Sequence, residues 1–255
     1  MNGAFYIGAT GLSAEQSALE VIANNITNIN TNGFKRTAVT FSAMVSATPD
    51  SSDPSAPGQA PGAGLAGVMV GATPLVFTEG SLQQTGQPLD VAIEGNGFIE
   101  LMGPGGQLML WRGGSMQVNP DGYLSAPGGM PLKGMISVPQ GTTSIAIGPD
   151  GKVQALVGGQ TTQIGQIDLV MAKDLSTVTA LNNGFFQVPA ESDLISAPPG
   201  TDGAGILAAG VLEGSNVELS DEMTTMLLVE RAYGANAQVV QAGDQLMSIA
   251  NSLKR

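Results

Sequence analysis

The sequence predicts an α+β protein in which two long terminal helices flank an antiparallel, β-rich middle. All 15 prolines lie between Pro49 and Pro199. Proline clashes inside a helix and lacks a backbone donor, so both proline-free ends are open to long uninterrupted helices. Apolar residues recur every seven positions at both ends, whereas the middle consists of short apolar runs divided by Gly, Pro and Asp. These patterns predict helices that pack on helices, and strands joined by tight turns.

The N-terminal helix is predicted from Gly3 to about Asn28, roughly 26 residues or about 39 Å long. It belongs to a predicted assembly segment, 1–46, in which the helix is followed by a connector anchored by Phe41 and Met44. The apolar stripe repeats every seven residues, with two further isoleucines beside it. Its members are Phe5, Leu12, Leu19, Ile22, Ile26 and Ile29.

Asparagine dominates the end of this helix, with Asn24, Asn25 and Asn28 followed by Asn32-Gly33. Asparagine tolerates the left-handed conformation, and Asn-Gly marks a turn, so the cluster indicates a helix stop. Asn24 and Asn28 also share a helix face at the i, i+4 spacing. Two roles stay open for the cluster: a local cap and turn, or a buried contact with a neighbouring subunit.

A Ser/Pro/Gly/Ala-rich stretch, 47–67, predicts a linker or long loop within a segment that extends to residue 79. A compact β-rich outer domain is predicted for 80–207. Its strands are expected at 89–93, 97–102, 107–111, 143–147, 152–157, 164–171 and 185–188. Two similar tetrapeptides, Asn119-Pro-Asp-Gly122 and Gly148-Pro-Asp-Gly151, predict tight β-turns, since Pro presets the first corner and Gly supplies a positive φ.

The C-terminal assembly segment, 208–255, is predicted to pair with 1–46 through a second long helix that ends near Leu253. Ser215 or Ser220 is the expected N-cap, and acidic residues follow where the helix dipole favours them. The predicted apolar interface repeats every seven residues with flanking positions. It comprises Leu219, Met223, Met226, Tyr233, Val240, Leu246 and Met247, beside Val239 and Leu253. Such sustained spacing at both ends predicts coiled-coil-like pairing.

Composition excludes several function classes. With 9 basic against 21 acidic residues, the net charge is −12, which disfavours nucleic acid and anionic membranes as partners. The chain has no His and no Cys, so the usual zinc ligands, thiol nucleophiles and imidazole bases are missing. Gly95-Asn-Gly97 lacks the third glycine of a dinucleotide loop, and Glu94 and Glu100 are expected to face solvent rather than act as a catalytic pair. We therefore expect no enzyme activity, no cofactor and no metal.

The N-terminal stretch lacks the basic region of a secretory leader, because its first basic residue is Lys35. We expect that any export leaves the N-terminus uncleaved. The uncharged stretch from Pro61 to Phe77 is interrupted by glycines and Pro74, so no membrane insertion is expected.

Four long motifs resemble the bacterial flagellar rod and hook proteins. Residues 11–35 (GLSA…VIANNITNINTNGFK) resemble the N-terminal signature of that family, and 211–233 (VLEGSNV…EM…ERAY) resemble its C-terminal signature. Residues 80–98 and 145–151 are similar to the body of the rod proteins. The resemblance implies a structural subunit that stacks helically into the flagellar drive-shaft, with paired terminal helices lining the tube and the β domain outside. It also implies export by the flagellar type III apparatus, a place in the periplasmic span of the basal body, and other axial proteins and the basal-body rings as partners.

Within this family, residues 68–80 (VMVGATPLVFTEG) look more like the distal-rod type than the proximal-rod type. A proximal-rod or hook-type axial subunit is the alternative. A soluble binding module with a helical oligomeric stalk is a further hypothesis from another class. Open-ended assembly would favour the rod, whereas a closed oligomer would favour the binding module.

Overall fold

The computed structural model describes residues 2–46, 64–181, 184–189 and 194–253. Within them the chain forms two long helices and a set of antiparallel strands, which confirms the α+β class with helices on both sides of a β-rich middle. The chain divides into two compact units. Unit 1 contains 1–27, 37–74 and 218–255, and unit 2 contains 28–36 and 75–217. The boundaries of the two units therefore differ from those of the predicted segments. Residues 28–36 and 208–217, predicted to belong to the terminal segments, lie in unit 2.

Unit 1 consists of two helices and a hairpin. Helix α1 spans Asn2–Thr27, one residue earlier than predicted at both ends, and α2 spans Leu219–Ser252. The hairpin pairs β1 (Phe41–Ser46) with β2 (Gly64–Val70), and β2 packs on α1. Strand β2 begins inside the stretch that composition predicted to be linker. The remainder of that prediction, 47–63, lies outside the described residues.

Two local expectations in unit 1 were wrong. Neither serine caps α2: its N-cap position is Glu218, which has extended backbone and makes no side-chain capping bond. The Ser215 hydroxyl instead accepts a hydrogen bond from the Val217 amide at 3.3 Å. Phe41 is 50% exposed, so it does not anchor the connector within this chain.

Unit 2 contains sixteen described strands. They are β3 (Leu82–Gln84), β4 (Asp90–Glu94), β5 (Phe98–Met102), β6 (Leu108–Trp111), β7 (Gly113–Ser115), β8 (Gln117–Val118), β9 (Leu124–Ser125), β10 (Thr142–Ile147), β11 (Lys152–Val157), β12 (Gln160–Gln166), β13 (Leu169–Ala172), β14 (Thr179–Ala180), β15 (Phe185–Gln187), β16 (Leu194–Ala197), β17 (Ile206–Ala209) and β18 (Val211–Glu213). Two short 3-10 turns occur at Pro104–Gly106 and Leu175–Thr177.

The largest sheet of unit 2 has the order β14-β15-β6-β5-β13-β16. Smaller sheets are β10-β11-β12, β17-β4-β7, β18-β3 and β8-β9. The single strand expected at 164–171 is two strands in different sheets, β12 and β13. The break falls at Ile167, whose amide donates to the Gly151 carbonyl at 2.8 Å.

Both predicted β-turns are confirmed. Gly122 and Gly151 have φ of +82° and +81°, and each donates its amide to the residue three positions earlier, at 2.9 and 3.0 Å. Because these turns join neighbouring strands, they help to close the main core of unit 2. Trp111 lies in that core with 3% of its surface exposed. A second apolar cluster forms around the edge-to-face rings of Phe77, Phe98 and Phe186.

Candidate assembly interface

Helices α1 and α2 pack along a pairing seam in which small residues of α1 face α2. A Cβ placed on Gly8 would lie 2.6 Å from the Val240 Cγ2, and one on Gly11 would lie 2.7 Å from the Asn236 side-chain nitrogen. The residue number rises along one helix as it falls along the other, so the helices are antiparallel. Glycine at both positions allows the two backbones to approach closely.

The seam continues along α1 through Ala14, Ala18 and Ile22, each at most 4% exposed. These positions follow the three- and four-residue steps that place side chains on one helix face. Their small size, rather than a row of large apolar side chains, is what lets α1 approach its neighbours closely.

Two pairs of an amide with a carboxylate cross the seam, and the carboxylate of each pair is buried. Asn236 Nδ2 donates to Glu15 Oε1 at 2.8 Å, and Asn25 Nδ2 donates to Glu222 Oε2 at 3.3 Å. The pairs are reciprocal, since α1 supplies the carboxylate in one and the amide in the other. Asn25 also exchanges two hydrogen bonds with the Thr37 backbone, at 2.9 and 3.0 Å. Glu15 and Asn236 were not predicted from the sequence, where they look like ordinary surface residues.

The predicted interface residues are distributed over several faces. Ile22 and Asn25 are buried. Half-buried are Phe5, Leu12, Leu19, Ile26, Asn28, Ile29, Met226 and Val240. Exposed are Asn24, Leu219, Met223, Tyr233, Leu246 and Met247. Val240, Ile22 and Asn25 are thus brought into or beside the pairing seam. No element in the described part of the chain covers the exposed α2 positions.

A second apolar line runs along α2, which we call the outer stripe. Its members alternate at spacings of four and three, all are exposed, and none is polar. They are Leu228, Ala232, Ala235, Val239, Ala242, Leu246, Ile249 and Leu253. At 3.6 residues per turn, Val239 points about 100° away from Val240, so the outer stripe and the pairing seam are separate faces of α2.

Large side chains of the outer stripe are strongly solvent-exposed. Leu228, Leu246 and Leu253 are 62%, 61% and 82% exposed. The four-three alternation of apolar residues is the pattern that helices use to pack against another helix. An exposed apolar line of this length makes the outer stripe a candidate interaction surface. Three members of the outer stripe, Val239, Leu246 and Leu253, belong to or flank the interface that the sequence predicted.

A junction cluster in unit 2, formed by Lys35, Arg112, Glu213 and Asn216, joins the segments that lead into and out of that unit. Lys35 Nζ lies 2.6 Å from Glu213 Oε1, and Arg112 Nη2 lies 3.4 Å from Glu213 Oε2. Lys35 Nζ also donates to the Thr78 carbonyl at 2.7 Å. Burial lowers the pKa of Lys35 below its usual value, an effect that the Glu213 carboxylate opposes.

Asn216 completes this cluster by binding two further backbone segments. Its Nδ2 donates to the Val76 carbonyl at 2.7 Å, and its Oδ1 accepts from the Arg36 amide at 2.7 Å. The Val76 amide in turn donates to the Arg36 carbonyl at 2.8 Å. Three stretches that are distant in sequence are therefore tied together inside unit 2.

The described residues contain no group of three or more His, Cys, Asp or Glu side chains arranged to hold a metal. Glu94 is exposed, while Glu100 forms an ion pair with Lys133 at 3.1 Å. Neither α1 nor α2 is long and apolar enough to cross a membrane, and these are the helices that the described ranges contain.

Three family models match the chain. Residues 5–35 match a flagella basal body rod protein model, 92–155 the D1 domain of flagellar hook protein FlgE/F/G, and 208–253 the C-terminal part of the flagellar basal body rod FlgEFG proteins. The matched residues include both helices and part of the β strands.

Curated relatives match along nearly the whole length. The chain is 33% identical over 258 residues to flagellar basal-body rod protein FlgG of Buchnera aphidicola subsp. Acyrthosiphon pisum, covering 97% of this chain and 98% of the relative. It is 34% identical over 257 residues to FlgG of Agrobacterium fabrum, with 97% and 98% covered. Identity is 30% over 248 residues to FlgF of Caulobacter vibrioides, with 94% and 93% covered.

Proposed function

Since the chain belongs to the flagellar basal-body rod protein family and is a structural subunit of the rod, we propose that it is a distal-rod subunit that polymerises helically through its terminal helices. The FlgG relatives support this assignment, because the chain is 33–34% identical to them over 98% of their lengths. Its identity to the FlgF relative is 30%. A proximal-rod or hook-type axial subunit is the alternative, since one matching model also covers the hook protein FlgE.

The outer stripe is the observation that carries the proposal. We assign it to contact with a second copy of this chain, whose α1 or α2 would cover the exposed leucines in coiled-coil-like packing. Burying apolar surface there would contribute about 25 cal/mol per Å² removed from water. When the covering helix is α1, the contact joins two different surfaces, and a contact of that kind can propagate into an open helical polymer.

The predicted interface residues divide between two roles in this proposal. Ile22, Asn25 and Val240 hold α1 and α2 together within a subunit. The exposed positions of α2, including Leu219, Met223 and Leu246, are available to neighbouring subunits. Torque transmission then depends on stiffness from dense helix packing and involves no chemical step.

The family assignment makes the chain a component of the flagellar basal body that assembles with other axial proteins. We further propose that it occupies the periplasmic span of the rod and is exported, with its N-terminus uncleaved, by the flagellar type III apparatus. Basal-body ring proteins are proposed as outer neighbours.

The proposal is tested by placing a charge on the outer stripe. Leu246→Asp should prevent polymer growth, because an ionised carboxylate cannot be buried without a partner. Gln245→Asp adds the same charge one residue away on an exposed side chain and is the matched control. Sedimentation and electron microscopy over a range of protein concentrations would measure assembly, and circular dichroism would show whether α2 persists. Normal rods from the Leu246→Asp chain, or a closed oligomer from the wild-type chain, would exclude this role for the stripe.

The distal assignment needs a separate experiment. The chain would be expressed in cells that lack either their FlgG-type or their FlgF-type subunit, and basal bodies would be imaged. Restored rods only in cells without the FlgG-type subunit are expected. Restoration only in cells without the FlgF-type subunit would support the proximal alternative.

A further inference from the structure

The apolar residues of α2 do not by themselves determine how far α1 and α2 are shifted along each other. Large apolar side chains recur every seven residues at Met226, Tyr233, Val240 and Met247. In the structure Gly8 faces Val240. A slide of one heptad, about 10.5 Å, would bring Tyr233 or Met247 to the same place. Either slide would still place a large apolar residue of α2 opposite Gly8.

The two amide–carboxylate pairs, whose carboxylates are buried, distinguish the observed register from a slid one. In the slide that brings Tyr233 opposite Gly8, Val229 takes the position of Asn236 opposite Glu15. Ala18 then takes the position of Asn25 opposite Glu222. Neither replacement has a side chain that can donate a hydrogen bond, so both carboxylates would be buried without their amide partners. A buried polar group that loses its partner carries a large penalty.

We propose that the Glu15–Asn236 and Asn25–Glu222 pairs specify the register of the antiparallel helix pair. A single polar residue in an apolar helix interface is known to fix register in this way, at a cost in stability. Glu15 is 8% exposed, and its Oε2 has no hydrogen-bond partner among the described residues.

The absence of cysteine from the chain allows the register to be measured by disulfides. A Cβ on Gly8 would lie 3.9 Å from the Val240 Cβ, within the range of about 3.5–4.5 Å that a disulfide requires. Gly8→Cys with Val240→Cys therefore reports the observed register. Gly8→Cys with Tyr233→Cys, or with Met247→Cys, reports a slide of one heptad in either direction.

The test introduces Glu15→Leu with Asn236→Leu into each cysteine pair in the full-length chain. Oxidation is carried out in dilute solution, where a non-reducing gel separates internal disulfides from dimers. We expect the slid disulfides to rise about tenfold relative to the native one, since losing one buried hydrogen-bonded partner changes an equilibrium by that order. Helix content should be maintained, because an apolar pair can replace a buried polar one.

Two controls complete the experiment. Glu15→Gln keeps an acceptor for Asn236 and should retain the native disulfide alone. Glu20→Leu removes an exposed carboxylate from α1 and should also leave the register unchanged. An unchanged native register in the Glu15→Leu/Asn236→Leu chain would overturn the proposal. Loss of α-helix in that chain would overturn it too, because it would show that the pair acts in stability. Polymerisation plays no part in the readout, so this test and that of the proposed function can fail independently.

Discussion

Lys35 Nζ lies 2.6 Å from Glu213 Oε1 across 178 residues of sequence, and both side chains are at most 2% exposed. Lys35 follows α1 in the chain, and Glu213 precedes α2, yet both belong to unit 2. The Glu213 carboxylate also accepts from the Gly80 amide at 3.1 Å. Unit 2 is therefore completed by residues from both terminal regions, although the sequence pattern placed its borders at 80 and 207.

Replacing Lys35 should destabilise unit 2 strongly. In Lys35→Met the Glu213 carboxylate stays buried but loses its nearest cation, and breaking a buried pair in this way costs roughly 3–5 kcal/mol. Arg112 remains at 3.4 Å, so we expect the lower part of that range. The control Lys133→Met removes a surface partner, 45% exposed, from Glu100 and should cost less than about 1 kcal/mol. Denaturant unfolding measures both free energies, and equal values would contradict the structural assignment.

The same lysine predicts how stability depends on pH. Burial lowers the Lys35 pKa below its usual 10.5 in the folded chain. Between the lowered pKa and 10.5 the unfolded chain binds more protons than the folded chain, so this group makes the free energy of unfolding rise with pH. Denaturant unfolding at several alkaline pH values should show a more positive slope for the wild-type chain than for Lys35→Met. Identical slopes would mean that Lys35 titrates normally.

The junction cluster also predicts which fragment can fold. A fragment of residues 28–217 keeps Lys35, Arg112, Glu213 and Asn216 together. A fragment of residues 80–207 retains Arg112 but loses the other three, which leaves the guanidinium buried without a carboxylate. We expect a cooperative unfolding transition for the longer fragment and a much weaker one, or none, for the shorter. Equal stability of the two would show that the cluster is dispensable for unit 2.

Much of the fold was predictable because its signals are local. The absence of proline and the seven-residue spacing indicated α1 and α2, and the Pro-Asp-Gly turns marked strand borders. Strand β2 was missed because glycine and alanine in Gly64–Val70 have weak strand propensity, and its pairing with β1 joins segments far apart in sequence. Local patterns contain no information about such partners.

The site was less predictable for two physical reasons. Gly8 and Gly11 lie in the pairing seam because they are small, and a search for large apolar residues passes over them. The Lys35–Glu213 pair joins single charges that no spacing rule connects. The heptad pattern predicted helix α2, but it could not say which of its two apolar faces α1 covers.

The neighbouring valines of α2 separate folding from assembly. Val240 faces Gly8 in the pairing seam, whereas Val239 lies on the outer stripe and is 49% exposed. Val240→Asp should lower the free energy of unfolding of the helix pair by at least about 2 kcal/mol, because it brings a charge into the seam. Val239→Asp should change that value by less than about 0.5 kcal/mol but should stop polymer growth. Circular dichroism during thermal unfolding and sedimentation measure the two effects, and Gln238→Asp serves as the exposed control. If Val239→Asp polymerises like the wild-type chain, the outer stripe does not contact a second copy.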